Sequence, residues 1–209
     1  MDKRHSPRSL VRAGIGVTGA MLLMSGAAVA VADEVAGEDV QVDVEIEAQE
    51  PVGALTMSVA ADSTALTEVE SDDPDVRQFD GTLPTVTVSD DRQEVPEGVF
   101  WYVTGQSSAF TADELPEIGP DQLGWTPHLI TDDGVVAAGD EVLTSLDEGE
   151  DAVGLVAEEL FALAWDSAEA QDTTGEWEAD AALFLKTPSD VAPGSYSATL
   201  TLTLWEDGV

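Results

Sequence analysis

The sequence predicts an all-β protein, an antiparallel sandwich, and three observations carry that expectation. The stretch Tyr196 to Trp205 (YSATLTLTLW) alternates strictly, with Ala198, Leu200, Leu202 and Leu204 on one face and Thr199, Thr201, Thr203 and Trp205 on the other. This is the period-2 pattern of a strand with one buried face. Further short alternating runs recur along the chain, separated by turn signals built from Asp, Ser, Gly and Pro. No repeated helical segment and no repeat of solenoid length breaks the sequence of strands.

At the N-terminus, Lys3, Arg4, Arg8 and Arg12 precede an uncharged run from Ala13 to Ala32 that finishes in small residues. Ala28-Val29-Ala30 and Ala30-Val31-Ala32 both fit the small-x-small cleavage rule, so residues 1–32 read as a secretory signal peptide cut before Asp33. The run is long enough to span a bilayer, but its Gly- and Ala-rich, weakly apolar texture favours cleavage over an uncleaved anchor. Residues 33–209 are then one extracellular domain with no membrane insertion after cleavage. No cysteine is available for a lipid anchor, and no LPxTG-like tail or apolar C-terminal segment follows the last strand.

Charge narrows the partners. The chain carries 7 Lys and Arg against 43 Asp and Glu, a net charge of −36. Beyond residue 32 the only basic residues are Arg77, Arg92 and Lys186. Such a surface repels nucleic acid and anionic membrane. A hydrophobic content of 43% with five Trp separates the chain from acidic disordered segments and supplies a core. With no cysteine there is no disulfide framework, which a domain of this size does not need.

The predicted elements follow in order. Val40, Val42, Val44 and Ile46 alternate with Gln41, Asp43, Glu45 and Glu47, so this acidic segment reads as a strand. Pro51 and Gly53 punctuate it, and Leu55, Met57 and Val59 resume the alternation. Strands are expected at Thr82–Ser89, where Val86 and Val88 share a face, and at Val99–Thr104. Turn signals stand at Asp62-Ser63, Ser71–Asp75, Asp90-Asp91, Asp132–Gly134 and Asp147–Asp151. From Thr111 to Gly139 the pattern gives a long connection or a pair of short strands around Leu123–Ile130. Val153–Trp165 fits local helix in its first half and strand in its second. Trp177, Ala179, Ala181, Leu183 and Leu185 then alternate up to Thr187-Pro188, and Ala192-Pro193-Gly194 turns into the final strand.

Pro51–Val59 (PVGALTMSV), Val86–Arg92 (VTVSDDR), Phe100–Val103 (FWYV), Trp177–Pro188 (WEADAALFLKTP) and Tyr196–Leu204 (YSATLTLTL), taken in this order, resemble the WxL-type surface domains of Gram-positive bacteria. The resemblance implies a secreted, immunoglobulin-like β-sandwich that associates non-covalently with the cell envelope, through peptidoglycan, beside other surface proteins. The chain departs from the family pattern at two places. Val103 stands where the first signature, Trp101-Tyr102-Val103, prefers Leu, and Leu202 stands where the second has its Trp.

Catalytic chemistry finds little support. His5 falls in the signal peptide, which leaves His128 beside Pro127 in an expected loop, and no Gly-x-Ser-x-Gly elbow or phosphate-binding glycine loop occurs. Carboxylate pairs suited to glycoside cleavage arise by chance on so acidic a surface. The expectation is a non-enzymatic protein with no cofactor. Its partners are cell-wall glycan or other envelope surface proteins, the latter met through sheet edges. Ser71–Asp75, Asp132–Gly134 and Asp147–Asp151 could offer hard oxygen ligands for weak Ca²⁺ association, but none has EF-hand spacing. Aromatic side chains are the remaining binding chemistry, because Trp and Tyr present flat apolar faces with polar rims. Trp101, Tyr102, Trp125 and Trp205 are the candidates. Alternation groups Trp101 with Val99 and Val103, a core pattern, whereas Trp125 follows Gly124 in an irregular segment and Trp205 lies on the threonine face of the last strand. The last two are therefore the better candidates for surface contact, with a plug at the sandwich end as the alternative for Trp125.

Overall fold

The computed structural model describes residues 53–149 and 152–208. The predicted signal peptide and the Val40–Ile46 strand lie outside them. The described residues form two antiparallel sheets packed face to face, one in the order β1-β3-β8-β5 with β2 also on β3, the other β6-β7-β4-β9. The strands are β1 (Leu55–Val59), β2 (Thr67–Val69), β3 (Val76–Asp90), β4 (Val99–Ser107), β5 (Leu123–Leu129), β6 (Val136–Ala138), β7 (Glu159–Ala164), β8 (Glu176–Pro188) and β9 (Leu200–Gly208). One short helix, α1 (Ser167–Thr173), joins β7 to β8. The expected all-β sandwich of antiparallel strands is what forms.

The β3–β8 ladder is the spine. On β8, Trp177, Ala179, Ala181, Leu183, Leu185 and Thr187 all point inward and are buried, while their neighbours face out. On β3 the inward parity changes midway. Leu83 is opposite Ala181, then Val86 opposite Ala179, so Pro84 and Thr85 face the single residue Asp180. Pro84 has no N–H to give the ladder, and a bulge is where a strand tolerates that. The bulge moves the buried set from Leu83 to Val86 and Val88.

Two aromatic pairs join the sheets. Trp101 of β4 meets Trp177 of β8 at 5.5 Å between ring centroids, and Trp125 of β5 meets Phe161 of β7 at the same separation. Each pair is tilted, a favourable geometry for interacting ring quadrupoles. Gly105 makes the second possible. A Cβ there would lie 2.4 Å from the Trp125 ring, so only glycine lets the indole rest against β4.

Several expectations change. The final strand begins at Leu200 rather than Tyr196, and Ser197 makes only an isolated bridge to Thr111. Its inward leucines are half-buried, because among the described residues β9 pairs only with β4. Asp90, read as a turn residue, closes β3 and is buried. The region around Leu123–Ile130 holds one strand instead of two, and His128 sits in it rather than in a loop. Val153–Glu158 holds no helix; the helix comes after Trp165, where Asp166 caps it by accepting hydrogen bonds from the amides of Ala168 and Glu169.

Candidate functional site

The strand alternation of β4 sends Trp101 and Val103 inward and turns Phe100 and Tyr102 to the outer face of the β6-β7-β4-β9 sheet. β9 then lays Trp205 directly opposite Tyr102. The three rings form a continuous strip. Phe100 and Tyr102 lie 6.0 Å apart with 24° between their planes, and Tyr102 and Trp205 6.3 Å apart with 19°.

Two sets of polar contacts hold the strip. Trp205 Nε1 donates to Thr104 Oγ1 at 3.0 Å, and that hydroxyl donates on to Glu158 Oε2 at 3.4 Å. The end of β9 is tied down next to the indole: Arg92 spans from Asp90 Oδ2 (2.6 Å) to Glu206 Oε1 (2.7 Å). Burial alone would raise the Asp90 pKa, but the hydrogen bonds from the Arg92 side chain and amide outweigh it and hold the carboxyl below its ordinary value. The same two carboxylates raise the Arg92 pKa, its hydrogen bond to Asp90 outweighing burial. A fixed indole loses less freedom on binding than a mobile one.

The strip borders further apolar surface. Leu163 of β7 pairs with Tyr102 on this outer face and is buried, although it lies apart from the core cluster between the sheets. Trp165, one residue past β7, is the most exposed large apolar side chain among the described residues at 75%. Extending the β4–β7 register by one residue sets it opposite Phe100. Trp205 is 40% exposed. Thr201 and Thr203 continue the face along β9, and the acidic residues Glu206 and Asp207 flank the indole.

Of the four aromatic candidates, Tyr102 and Trp205 come together on this face. Trp101 and Trp125 do not join them, as both are fully buried. For Trp125 this corrects the expected surface contact: its register opposite Leu183 points it inward, and Gly105 leaves the space that it fills. Phe100 and Trp165 were not expected at the site. Phe100 was legible, two residues before Tyr102 and so on the same face of the same strand.

Each acidic segment spends one carboxylate internally. Asp73 Oδ1 accepts from the Asp75 amide, Asp133 accepts from the Val135 amide and from Trp177 Nε1, and Asp147 bonds Thr144 and Lys186. Burial pushes the Asp147 pKa up, but the bonds from Lys186 and Thr144 bring it below the ordinary value. Among the described residues no group of three or more His, Asp or Glu is placed to hold a metal ion; Glu150 and Asp151 lie outside them. No described helix is long and apolar enough to cross a membrane. His128 is exposed, with Nδ1 3.5 Å from Asp180.

No family model matches this chain, and no curated protein or solved structure matches it.

Proposed function

We propose that this chain is a secreted, non-enzymatic module of the bacterial envelope, with an immunoglobulin-like sandwich that holds wall glycan against the outer strip Phe100–Tyr102–Trp205. The single observation that carries the reading is the strip itself: three rings with interplanar angles of 24° and 19° on the outer sheet face, Phe100 and Tyr102 half-buried and Trp205 exposed. Flat aromatic surfaces stack on the C–H faces of sugar rings while hydroxyls and carboxylates at the rim meet the sugar hydroxyls. A contiguous exposed apolar patch on a charged protein is itself a mark of an interaction surface. Thr201, Thr203 and Asp207 supply such a rim.

The WxL-like motifs of the sequence support the envelope assignment, and the signal-peptide pattern of residues 1–32 supports export. The Tyr196 hydroxyl donates to the Ala192 carbonyl four residues upstream, a corner contact of the kind found in immunoglobulin-like sandwiches. Binding by this route places recognition on Tyr102 and Trp205 rather than at the Leu202 position, which faces the other way.

Co-sedimentation with purified peptidoglycan sacculi tests the proposal. The protein is expected in the pellet, and Tyr102→Ala with Trp205→Ala is expected to weaken binding about tenfold or more, while urea unfolding still shows a cooperative fold. Equal pelleting of the double variant and the parent would overturn the role of the strip. Complete recovery in the supernatant at low salt with divalent ions present would overturn glycan binding.

A further inference from the structure

The aromatic strip lies between two carboxylates. Along β4 the residues on its face are Phe100, Tyr102 and Thr104, and β9 sets Asp207, Trp205 and Thr203 opposite them in that order. Asp207 is exposed at the Phe100 end. At the Thr104 end stands Glu158, also exposed, whose Oε2 accepts from the same Thr104 hydroxyl that holds the Trp205 indole. Phe100 and Thr104 are four residues apart on one strand, so the carboxylates bracket the rings over about 13 Å of strand.

No positive charge among the described residues answers them. Beyond residue 32 the sequence holds only Arg77, Arg92 and Lys186 as basic residues. Glu68 binds Arg77, Asp147 binds Lys186, and Asp90 and Glu206 together bind Arg92, so each cation is spent elsewhere. The net charge of −36 adds a field of the same sign over the whole surface. The rings act in the same direction, since an aromatic face is the negative side of its quadrupole.

We propose that the strip selects a cationic glycan, a polymer of amino sugars whose nitrogen carries no acetyl group. The inference rests on the glycan reading of the strip and adds the sign of its ligand. A sugar ring stacked on Tyr102 or Trp205 carries its substituents to the rim, where a protonated amine meets Asp207 or Glu158. The same amine placed over an indole gains a cation–π attraction. N-acetylation removes that charge and leaves the nitrogen only a neutral hydrogen bond to give. An anionic polymer is repelled at both ends of the strip. A lysine-rich peptide satisfies the carboxylates but brings no sugar ring to lie flat on the aromatic faces. Exposed ion pairs are individually weak, so selectivity comes from repetition, as successive amines of one chain meet both carboxylates within a single field.

Calorimetric titration of the protein with chitosan oligomers (glucosamine) and chitin oligomers (N-acetylglucosamine) reads the preference directly, at about pH 6, where amines are protonated and exposed carboxylates ionised. The glucosamine oligomer is expected to bind about tenfold more tightly in about 20 mM salt, and the preference to shrink to about twofold in about 500 mM salt. Glu158→Gln with Asp207→Asn is expected to cut the low-salt preference to about threefold or less. Equal affinities for the two oligomers, a preference unchanged by salt, or full preference retained in that double variant would overturn the inference. So would a lysine oligomer that binds as tightly as the glucosamine oligomer, which would make the face a docking site for basic peptide. Tyr102→Ala with Trp205→Ala keeps the two readings apart. If the oligomers bind the parent alike and this variant weakens both, the strip holds glycan without regard to charge and only the present inference falls. If it weakens neither, or if neither oligomer binds the parent, the glycan reading of the strip falls with it.

Discussion

β8 and β9 carry nearly the same message in sequence and different structural roles. Each alternates along its length: β8 keeps apolar residues on one face from Trp177 to Leu185, with Ala182 and Phe184 interrupting the polar face, and β9 alternates Leu and Thr from Leu200 to Leu204. β8 lies between β3 and β5, and every inward residue from Trp177 to Thr187 is buried. β9 lies at an edge among the described residues, and its inward leucines stay half-buried while its outward Trp205 becomes part of an aromatic surface. Alternation states which side chains share a face. It does not state how many neighbours the strand has, and that number decides whether the strand is a beam or a docking rail.

Replacing the tryptophan on each strand gives the widest separation. Trp177→Ala removes a ring that packs on Trp101 and donates to Asp133, and it should cost about 4 kcal/mol in urea unfolding. Trp205→Ala leaves the core untouched and should cost less than about 1 kcal/mol while reducing sacculus binding. Equal losses of stability would dissolve the distinction between beam and rail. The leucine pair sharpens it: Leu183→Ala, at 4% exposure, should cost about 3 kcal/mol, and Leu202→Ala, already half-buried, about 1 kcal/mol.

The ends of the two strands provide the smallest effects. β8 is held by Lys186 to Asp147 and β9 by Glu206 to Arg92. Glu206→Gln, a partly exposed contact, should cost about 0.5 kcal/mol. Acid acts on both strand ends together. Asp90 and Asp147 have pKa values below their unfolded ones, so their stabilisation is complete above about pH 4 and is lost as pH falls through the folded values. Thermal unfolding should therefore show falling stability below about pH 4 in both the parent and Glu206→Gln. An acid limb that disappears in Glu206→Gln would assign it to that one contact instead.

The parts of the fold legible in the sequence were those in which one parity holds from end to end, as in β1, β8 and the core of β4. β3 was half-hidden, since the bulge at Pro84 shifts its buried set from Leu83 to Val86 and a single period fits only the second half. α1 was missed although Asp166 and Glu169 stand three apart, a helix-start signature, because seven residues are too few to show a period. Of the candidate strip, Tyr102 and Trp205 were named from the sequence, and the rest was obscure. Whether an indole such as Trp125 is inside depends on Gly105 and Phe161, residues that only the fold brings to it.

The three basic residues of the described chain are all committed. Arg77 binds Glu68 at 2.8 Å, Arg92 binds Asp90 and Glu206, and Lys186 binds Asp147. Arg77 and Lys186 also lie over the rings of Phe79 and Phe184. Each positive charge is thus a fastener between elements, and none is left to neutralise the exterior. In solution that exterior collects a cloud of counterions, and an anionic polymer must share that cloud before it can approach. The protein therefore has an entry condition set by its surroundings: salt and divalent cations decide how near a charged polymer comes, whereas an uncharged surface approaches without that toll.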